Sequence, residues 1–479
     1  MKTLFPHTFD WFAYLVTAII VRLAFFGISW FSYLAIMISI QQFILLFTSI
    51  RFIIPTRYLL GMFMCIQFFI GPVLAYNGLD QYQYFLYKMR IPEEAYFAYA
   101  IPAVVLFIIG THIRSGQYRG EVIDQKRIAV FVDRHPMLPY IFIGMGFLAS
   151  VVADRFSAEL AFVFYLLGSF KFIGLFMLVL GTKQLKLLPL VLVMGTIGAS
   201  SLASGMFHDL ITWTVFTAAI FAIKYKFDFK IKIIGLSSFM LIALTIQVLK
   251  GSFRKNLSSE TNGTNGAETF AKLVEQKSEN GGLFNLYSLA SSAVRINQGF
   301  IITNIMHTIP DLMPYEHGKE MMLIIESAVL PRVLAPNKLN AGDRAIFSKY
   351  SRIPVAPGTS MGLSSLGDAY INWGVFGGCI FMFFLGFFYC EILNVFHKYG
   401  RDYPVLILFT TLVFYYPIRP DCELQTILGH VVKSLFLIFV MFQVWKRNFF
   451  VPRNISFKKT ASPPNPLSKG EGELKTFTW

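Results

Sequence analysis

Windows of about twenty apolar residues recur along this chain, each long enough to cross a hydrocarbon core of about 30 Å as a helix. They fall at 9–28, 31–50, 57–76, 95–113, 137–154, 158–181, 187–204, 208–224, 232–249, 373–394, 403–418 and 427–446. The chain is 55% hydrophobic with 51 phenylalanines and only 14% charged residues, where a soluble domain carries about a quarter. The expected fold is an all-α polytopic membrane protein with about twelve transmembrane helices and one large extracytoplasmic loop containing short helices.

The basic residues set an orientation. Lys and Arg cluster at Arg51 and Arg57, Arg114–Arg134, Lys183 and Lys186, Lys224–Lys232, His397–Arg401 and Lys446–Lys459. With the spans numbered in order, every cluster falls on one side, so the positive-inside rule places both termini in the cytoplasm. The net charge of +15 then reflects topology and attraction to anionic membrane lipid, and no nucleic-acid partner is expected. The expected organisation is transmembrane helices over 1–250, an extracytoplasmic loop over 251–371, transmembrane helices over 372–446 and a cytoplasmic tail over 447–479, disordered from about 460.

Several classes are set aside. Cys65, Cys379, Cys390 and Cys422 lie in or beside apolar windows, so neither a disulfide framework nor a cysteine metal site is implied. The N-terminus has no small-residue processing site, so the first span is expected to stay. No internal repeat of fixed period appears, which disfavours the common transporter architectures. No glycine-rich nucleotide loop, paired acidic metal motif or His/Asp cluster at metal spacing is evident. No metal and no cofactor are expected.

The stretch from Lys250 to Asn372 carries Arg254, Arg295, Arg332, Arg344 and Arg352 among glycines and prolines. Such a polar segment suits an anionic substrate tethered to lipid, because the planar guanidinium fork grips phosphate oxygens bidentately. Residues 256–266 read as flexible turns and 267–279 as a short amphipathic helix. A helical run from Leu283 places Ser288, Ser291, Arg295 and Gln298 on one face. A second run, Lys319–Leu330, stops at Pro331 and carries Glu326 on an otherwise apolar stretch. From Arg332 to Ser365 the chain reads as irregular, which keeps it out of lipid.

Charges inside the apolar windows form a second group. An ionisable side chain at a helix centre costs about 2.5–3.5 kcal/mol on insertion scales, so it usually has a partner or a watery cavity. Lys171 and Arg22 are the clearest cases. His208, Asp209, the run Arg419-Pro420-Asp421-Cys422-Glu423 and His430 lie near outer helix ends and can complete a site beneath the loop.

The strings ESAVLPRVLAPNK (Glu326–Lys338) and AGDRAIFSKYSRIPVAPGTSMGLSSLGDAYINWGVFGG (Ala341–Gly378) resemble the region before and into a late span of oligosaccharide repeat-unit polymerases. These are the Wzy-type O-antigen polymerases, within the O-antigen polymerase and ligase superfamily. The shared elements are a Leu-Pro-Arg near a Pro-x-Lys, a Pro/Gly-rich stretch and a Gly-Asp-x-Tyr-x-Asn-x-Gly-x-x-Gly helix start. Where many relatives in the ligase branch have a Ser-Arg pair, this chain reads Ser204-Gly205-Met206-Phe207-His208-Asp209.

The resemblance implies a glycosyltransferase of the bacterial cytoplasmic (inner) membrane. It would polymerise polyprenyl-pyrophosphate-linked oligosaccharide units into O-antigen, capsule or exopolysaccharide, with a chain-length regulator and a repeat-unit flippase as partners. The chemistry needs neutralisation of pyrophosphate, alignment of an acceptor hydroxyl and a group to take its proton. Arg295, Arg332 and Glu326 are the expected catalytic residues; Arg254, Lys338, Arg344, Arg352, Asp368, Tyr370, Asn372, His208 and Arg419 are the expected substrate-binding set. Each has a structural competitor. Arg332 can cap the preceding helix, Glu326 can pair with Arg332, and Asp368, Tyr370 and Asn372 can serve as cap and interface residues. An O-antigen ligase and a polysaccharide flippase or transporter stay open as alternatives.

Overall fold

The computed structural model describes residues 3–6, 9–115, 123–156, 158–182, 186–259, 266–279, 290, 293–294, 296–330, 338–339, 342, 344–355 and 361–451. Among them there are helices and no strand. The first four are α1 (Trp11–Ala24), α2 (Trp30–Ser49), α3 (Thr56–Tyr76) and α4 (Glu93–His112). Next come α5 (Gln125–Arg134), α6 (Leu138–Val152), α7 (Ala158–Gly168), α8 (Phe170–Leu180), α9 (Leu187–Ser204), α10 (His208–Tyr225) and α11 (Phe229–Ser259). The polar region holds α12 (Gly266–Glu279), α13 (Gly299–Thr308), α14 (Lys319–Val329) and α15 (Arg344–Ser351), and the chain ends in α16 (Ser364–Gly400), α17 (Pro404–Val413) and α18 (Leu424–Phe449).

Among the described residues eight helical segments are long and apolar enough to cross a membrane, and a ninth arises if α5 and α6, bent by 83°, form one span. This is a helical polytopic membrane protein. The other expected windows contain helix but fall short. Helix α1 has 14 residues, α6 has 15 and α17 spans only Pro404–Val413. Helix α10 opens on His208 and Asp209, which dilute its apolar character.

Three expectations about the polar region need correction. Helix α11 runs to Ser259, into the stretch read as flexible turns. Helix α15 occupies part of the segment read as irregular. Helix α16 begins at Ser364, not near 372, so Asp368, Tyr370 and Asn372 sit inside a helix and not at its mouth. The expected amphipathic helix and the Lys319 run both appear, as α12 and α14.

The tightest pairing in the bundle joins α4 to α16. A Cβ on Gly110 would overlap the backbone at Phe383, and one on Gly386 would overlap the backbone at Phe107. Lipid tails are as apolar as leucine, so close approach at small residues, and not hydrophobic transfer, holds such helices together. Higher in the pair, the Tyr99 hydroxyl donates to the Leu366 carbonyl at 2.7 Å. Helix α16 breaks once, at Gly374, where φ is 64° and ψ is −156°, a conformation that a Cβ would strain.

Helix α13, from the region expected outside the bilayer, is built into this bundle. Phe300, Ile301, Ile302 and Ile305 are buried. Its anchor is a π turn in α3 over Ile66–Ile70, where Gly71 N–H reaches back to Ile66 O. The register change exposes a carbonyl, and Gln67 O accepts from Gln298 N–H at 3.1 Å. Such π turns recur at functional sites.

Candidate functional site: a broken helix beneath the polar region

Helix α17 starts as a tight 3-10 turn at Pro404 and ends at Val413. The residues that follow, Phe414 to Glu423, are irregular and include Pro417 and Pro420, which lack the N–H a helix needs. Thr410, Thr411, Leu412, Val413, Phe414 and Tyr415 are almost inaccessible to solvent. Non-helical backbone at membrane depth persists only where protein or a watery cavity surrounds it. Here the Leu412 carbonyl accepts a long turn bond from Tyr415 N–H at 3.4 Å, and His430 Nε2 on α18 lies 2.8 Å from it.

Arg419 projects from this break. Its side chain is 15% exposed, and Nη2 lies 3.8 Å from the Asp421 carboxylate. Its guanidinium carbon sits 5.2 Å from the Tyr416 ring centroid. Nη1 is buried without a hydrogen-bond partner among the described residues. Gln67, from the π turn, donates to Asp421 at 3.4 Å, and its own carbonyl oxygen is likewise buried and unsatisfied. A buried donor without a partner is costly, so such groups mark strain or a ligand position.

A second element meets the break from the side. Gly205, with φ of 63°, ends α9, and the chain re-enters α10 at His208 and Asp209. Asp209 in the first turn is favoured by the helix dipole. His208 Nε2 lies 2.7 Å from Asp209 Oδ1, and the Tyr415 hydroxyl donates to the same oxygen. His430 packs against Tyr416 with ring centroids 4.8 Å apart, and its Nδ1 is buried and unpartnered among the described residues. His208, Asp209, Arg419, Asp421 and His430 thus gather around one interruption of one helix.

The polar region lies on top. A Cβ on Gly362 would come within 2.7 Å of Glu423 N and 2.9 Å of Asp421 O, so only glycine lets the 361–363 segment rest on the break. Beside it, Asp368 Oδ2 accepts from Leu424 N–H at 3.3 Å, at the start of α18. Asn372 accepts from Met321 N–H at 3.2 Å and donates to the Asp368 carbonyl at 2.9 Å. Both residues are buried, as is Tyr370, whose hydroxyl donates to Ile309 O at 3.4 Å. Asp368 and Asn372 line a narrow, partly open cleft between α14, α15, α16 and α18.

No family model, curated protein or solved structure matches this chain.

The remaining expected residues scatter. Arg295 and Arg332 lie outside the described residues, as does the side chain of Arg254 on α11. Glu326 faces out from α14, and Arg344 and Arg352 are exposed at the two ends of α15. Lys338 donates to Leu330 O at 2.8 Å and so caps α14, the role foreseen for Arg332. Inside the bundle, Lys171 rests on the Phe147 and Phe172 rings and Arg22 on Trp30. No group of three or more His, Cys, Asp or Glu side chains that could hold a metal ion appears among the described residues.

The sequence reading passed over Gln67, whose signal was available as an amide inside an apolar window. It also passed over a network in which the Tyr350 hydroxyl oxygen lies 2.7 Å from both the Glu316 and Glu320 carboxylates, with Lys349 Nζ 3.1 Å from Glu316. These partners lie 30 or more positions apart, and no local pattern pairs them.

Proposed function

We propose that this protein is a membrane glycosyltransferase that joins polyprenyl-pyrophosphate-linked oligosaccharide units on the outer face of the cytoplasmic membrane. The observation that carries this reading is Arg419, a buried guanidinium with one nitrogen unpartnered, set in a helix break beneath the polar region. A phosphate oxygen is the partner such a nitrogen lacks, and burial strengthens a charge-assisted hydrogen bond. The string Ala341–Gly378, part of the resemblance to repeat-unit polymerases, supplies Gly362 and Asp368 against the same break.

In this reaction an acceptor sugar hydroxyl attacks the anomeric carbon of the donor. The new C–O bond forms as the bond to the pyrophosphate oxygen breaks, and polyprenyl pyrophosphate departs as an anion. Arg419 stabilises the charge that grows on that oxygen. The hydroxyl proton passes to the His208–Asp209 pair, which Tyr415 holds in place. Arg295 and Arg332 remain candidates for the outer phosphate contacts, both termini are cytoplasmic, and the region over 251–371 faces outward. A chain-length regulator and a flippase are the protein partners of such a step.

A deletion strain tests the function. It should still build and flip the lipid-linked unit and attach one unit to the final acceptor, while long chains vanish and a ladder of surface polysaccharide becomes a single band. Wild-type protein should restore the ladder and Arg419→Ala should not. A full ladder of lipid-linked polymer stranded before its acceptor would favour a ligase. Units accumulating on the cytoplasmic face would favour a flippase. Orientation is checked separately: single cysteines at Asn262 and Asn340 should react with an impermeant thiol reagent on intact cells, and one at Tyr225 should not.

A further inference from the structure

Helix α18 carries a cation on the side that faces lipid. It is long and apolar enough to cross a membrane, and Phe436, Val440 and Val444 are exposed along one face of it. Lys433 is exposed on the same face, about 14 Å along the helix from Leu424, the end that meets the polar region. A lysine stem leans toward the N-terminus of its helix, which carries the ammonium back toward the membrane surface. Its Nζ rests 4.1 Å from the centroid of the Phe162 ring on α7. Among the described residues no carboxylate pairs with it, and the charge near enough to act on it is Lys338, which repels.

The surface around these two lysines is apolar. Helix α14 packs on α18 so closely that a Cβ on Gly429 would lie 3.9 Å from the Ala328 Cα, yet its Met322, Ile325 and Val329 stay exposed. A short helix that is apolar toward the protein and away from it suits the membrane interface. Lys338 follows this helix and is held by its bond to Leu330 O. Like charges at a lipid surface repel until an anion comes between them, and a lipid phosphate is the anion found at that depth. A run of ring contacts leads inward from Lys433. The Phe162 and His430 centroids are 6.2 Å apart, His430 packs on Tyr416, and Arg419 lies over Tyr416. His430 is within electrostatic reach of both Lys433 and Arg419. We propose that Lys433 and Lys338 form the port at which the pyrophosphate of the lipid-linked donor leaves the membrane surface, between α7 and α18, on its way to Arg419. The polyprenyl tail stays on the exposed apolar faces of α14 and α18, and phosphate oxygens supply the counter-charge for Lys433. It rests on the glycosyltransferase reading and adds to it a direction of entry.

The test uses the full chain in detergent micelles, with binding read by native mass spectrometry for polyprenyl pyrophosphate, uncharged polyprenol and phosphatidylglycerol. The pyrophosphate should bind at least about tenfold more tightly than the polyprenol, and an excess of phosphatidylglycerol should not displace it. Lys433→Met keeps the apolar stem and should weaken pyrophosphate binding about tenfold with an unchanged size-exclusion profile. Lys433→Arg should keep most of the binding, and Lys446→Met, at the opposite end of α18, should bind as wild type. Wild-type pyrophosphate binding by Lys433→Met, or equal weakening by Lys446→Met, would overturn the proposal. So would displacement by phosphatidylglycerol, which would make Lys433 an ordinary headgroup contact. If the variants separate as expected but a deletion strain keeps its full ladder, the polymerase reading fails and the lipid-pyrophosphate port stands. If the ladder collapses and Lys433→Met binds as wild type, the reverse holds.

Discussion

The α4–α16 pair and the α17–α18 break are both buried, yet they are built for different ends. In the first, two helices approach backbone to backbone at Gly110 and Gly386, along stretches whose peptide hydrogen bonds run within each helix. In the second, the helix stops half-way and leaves Arg419 Nη1, His430 Nδ1 and Gln67 Oε1 buried without partners among the described residues. Scaffold comes from closing hydrogen bonds and reactivity from leaving them open, and the rigid pair holds the open groups in place.

The largest effect that tests this contrast is expected at the pair. Gly386→Leu has no room, because the obstacle is the Phe107 backbone and not a movable side chain. Overpacking of this kind costs about 3 kcal/mol. The purified variant should lose its monodisperse size-exclusion peak and unfold at a clearly lower temperature. A wild-type peak and melting curve would mean the two helices are not held by that contact.

At the break the expectation reverses, with folding spared and activity lost. Arg419→Ala should retain the wild-type level in the membrane and lose about a hundredfold in polymer formation, the scale of removing one transition-state donor. Arg419→Lys should recover less than a tenth of the wild-type rate, since an ammonium keeps the charge and loses the planar fork. Recovery to wild type by lysine would reduce Arg419 to a point charge. Tyr415→Phe comes next, removing one hydrogen bond to the Asp209 carboxylate that is worth about 1.5–3 kcal/mol. The rate of polymer formation should fall about tenfold, and an unchanged rate would detach Asp209 from the chemistry.

The helical class was legible because it depends on window length, a local property. The run Arg419 to Glu423 was legible for the same reason, since ionisable groups in apolar windows stand out singly. What could not be read was convergence. Asp209 meets Tyr415 across 206 positions and Gln67 meets Asp421 across 354, distances over which periodicity says nothing. The resemblance drew attention to Asp368, Tyr370 and Asn372 but placed them at a helix mouth, because Pro354 and Gly362 look like breakers. The chain instead begins α16 at Ser364, and packing against α13 and α14 buries all three. Exposed Arg344 and Arg352 show the converse: arginine count marks a polar surface, and burial sets Arg419 apart from these two.

The smallest effect lies at the rim, where the Tyr350 hydroxyl donates to Glu316 and, with Lys349, holds its carboxyl below the ordinary value of 4.5. A depressed folded-state value means the contact contributes fully above about pH 4.5 and is lost as pH falls through the lower folded value. The network ties the loop before α14 to α15, so acid should loosen the polar region before it touches the α4–α16 pair. Limited proteolysis of the protein in lipid discs should therefore show faster cutting within 338–355 on going from pH 6 to pH 4. Glu316→Gln should cut at the faster rate already at pH 6 and lose most of the pH dependence. The Lys349–Glu316 pair is partly exposed, so the change is expected to be a few-fold. Equal acid sensitivity in wild type and Glu316→Gln would move the switch to another carboxylate and leave α15 anchored by its apolar face alone.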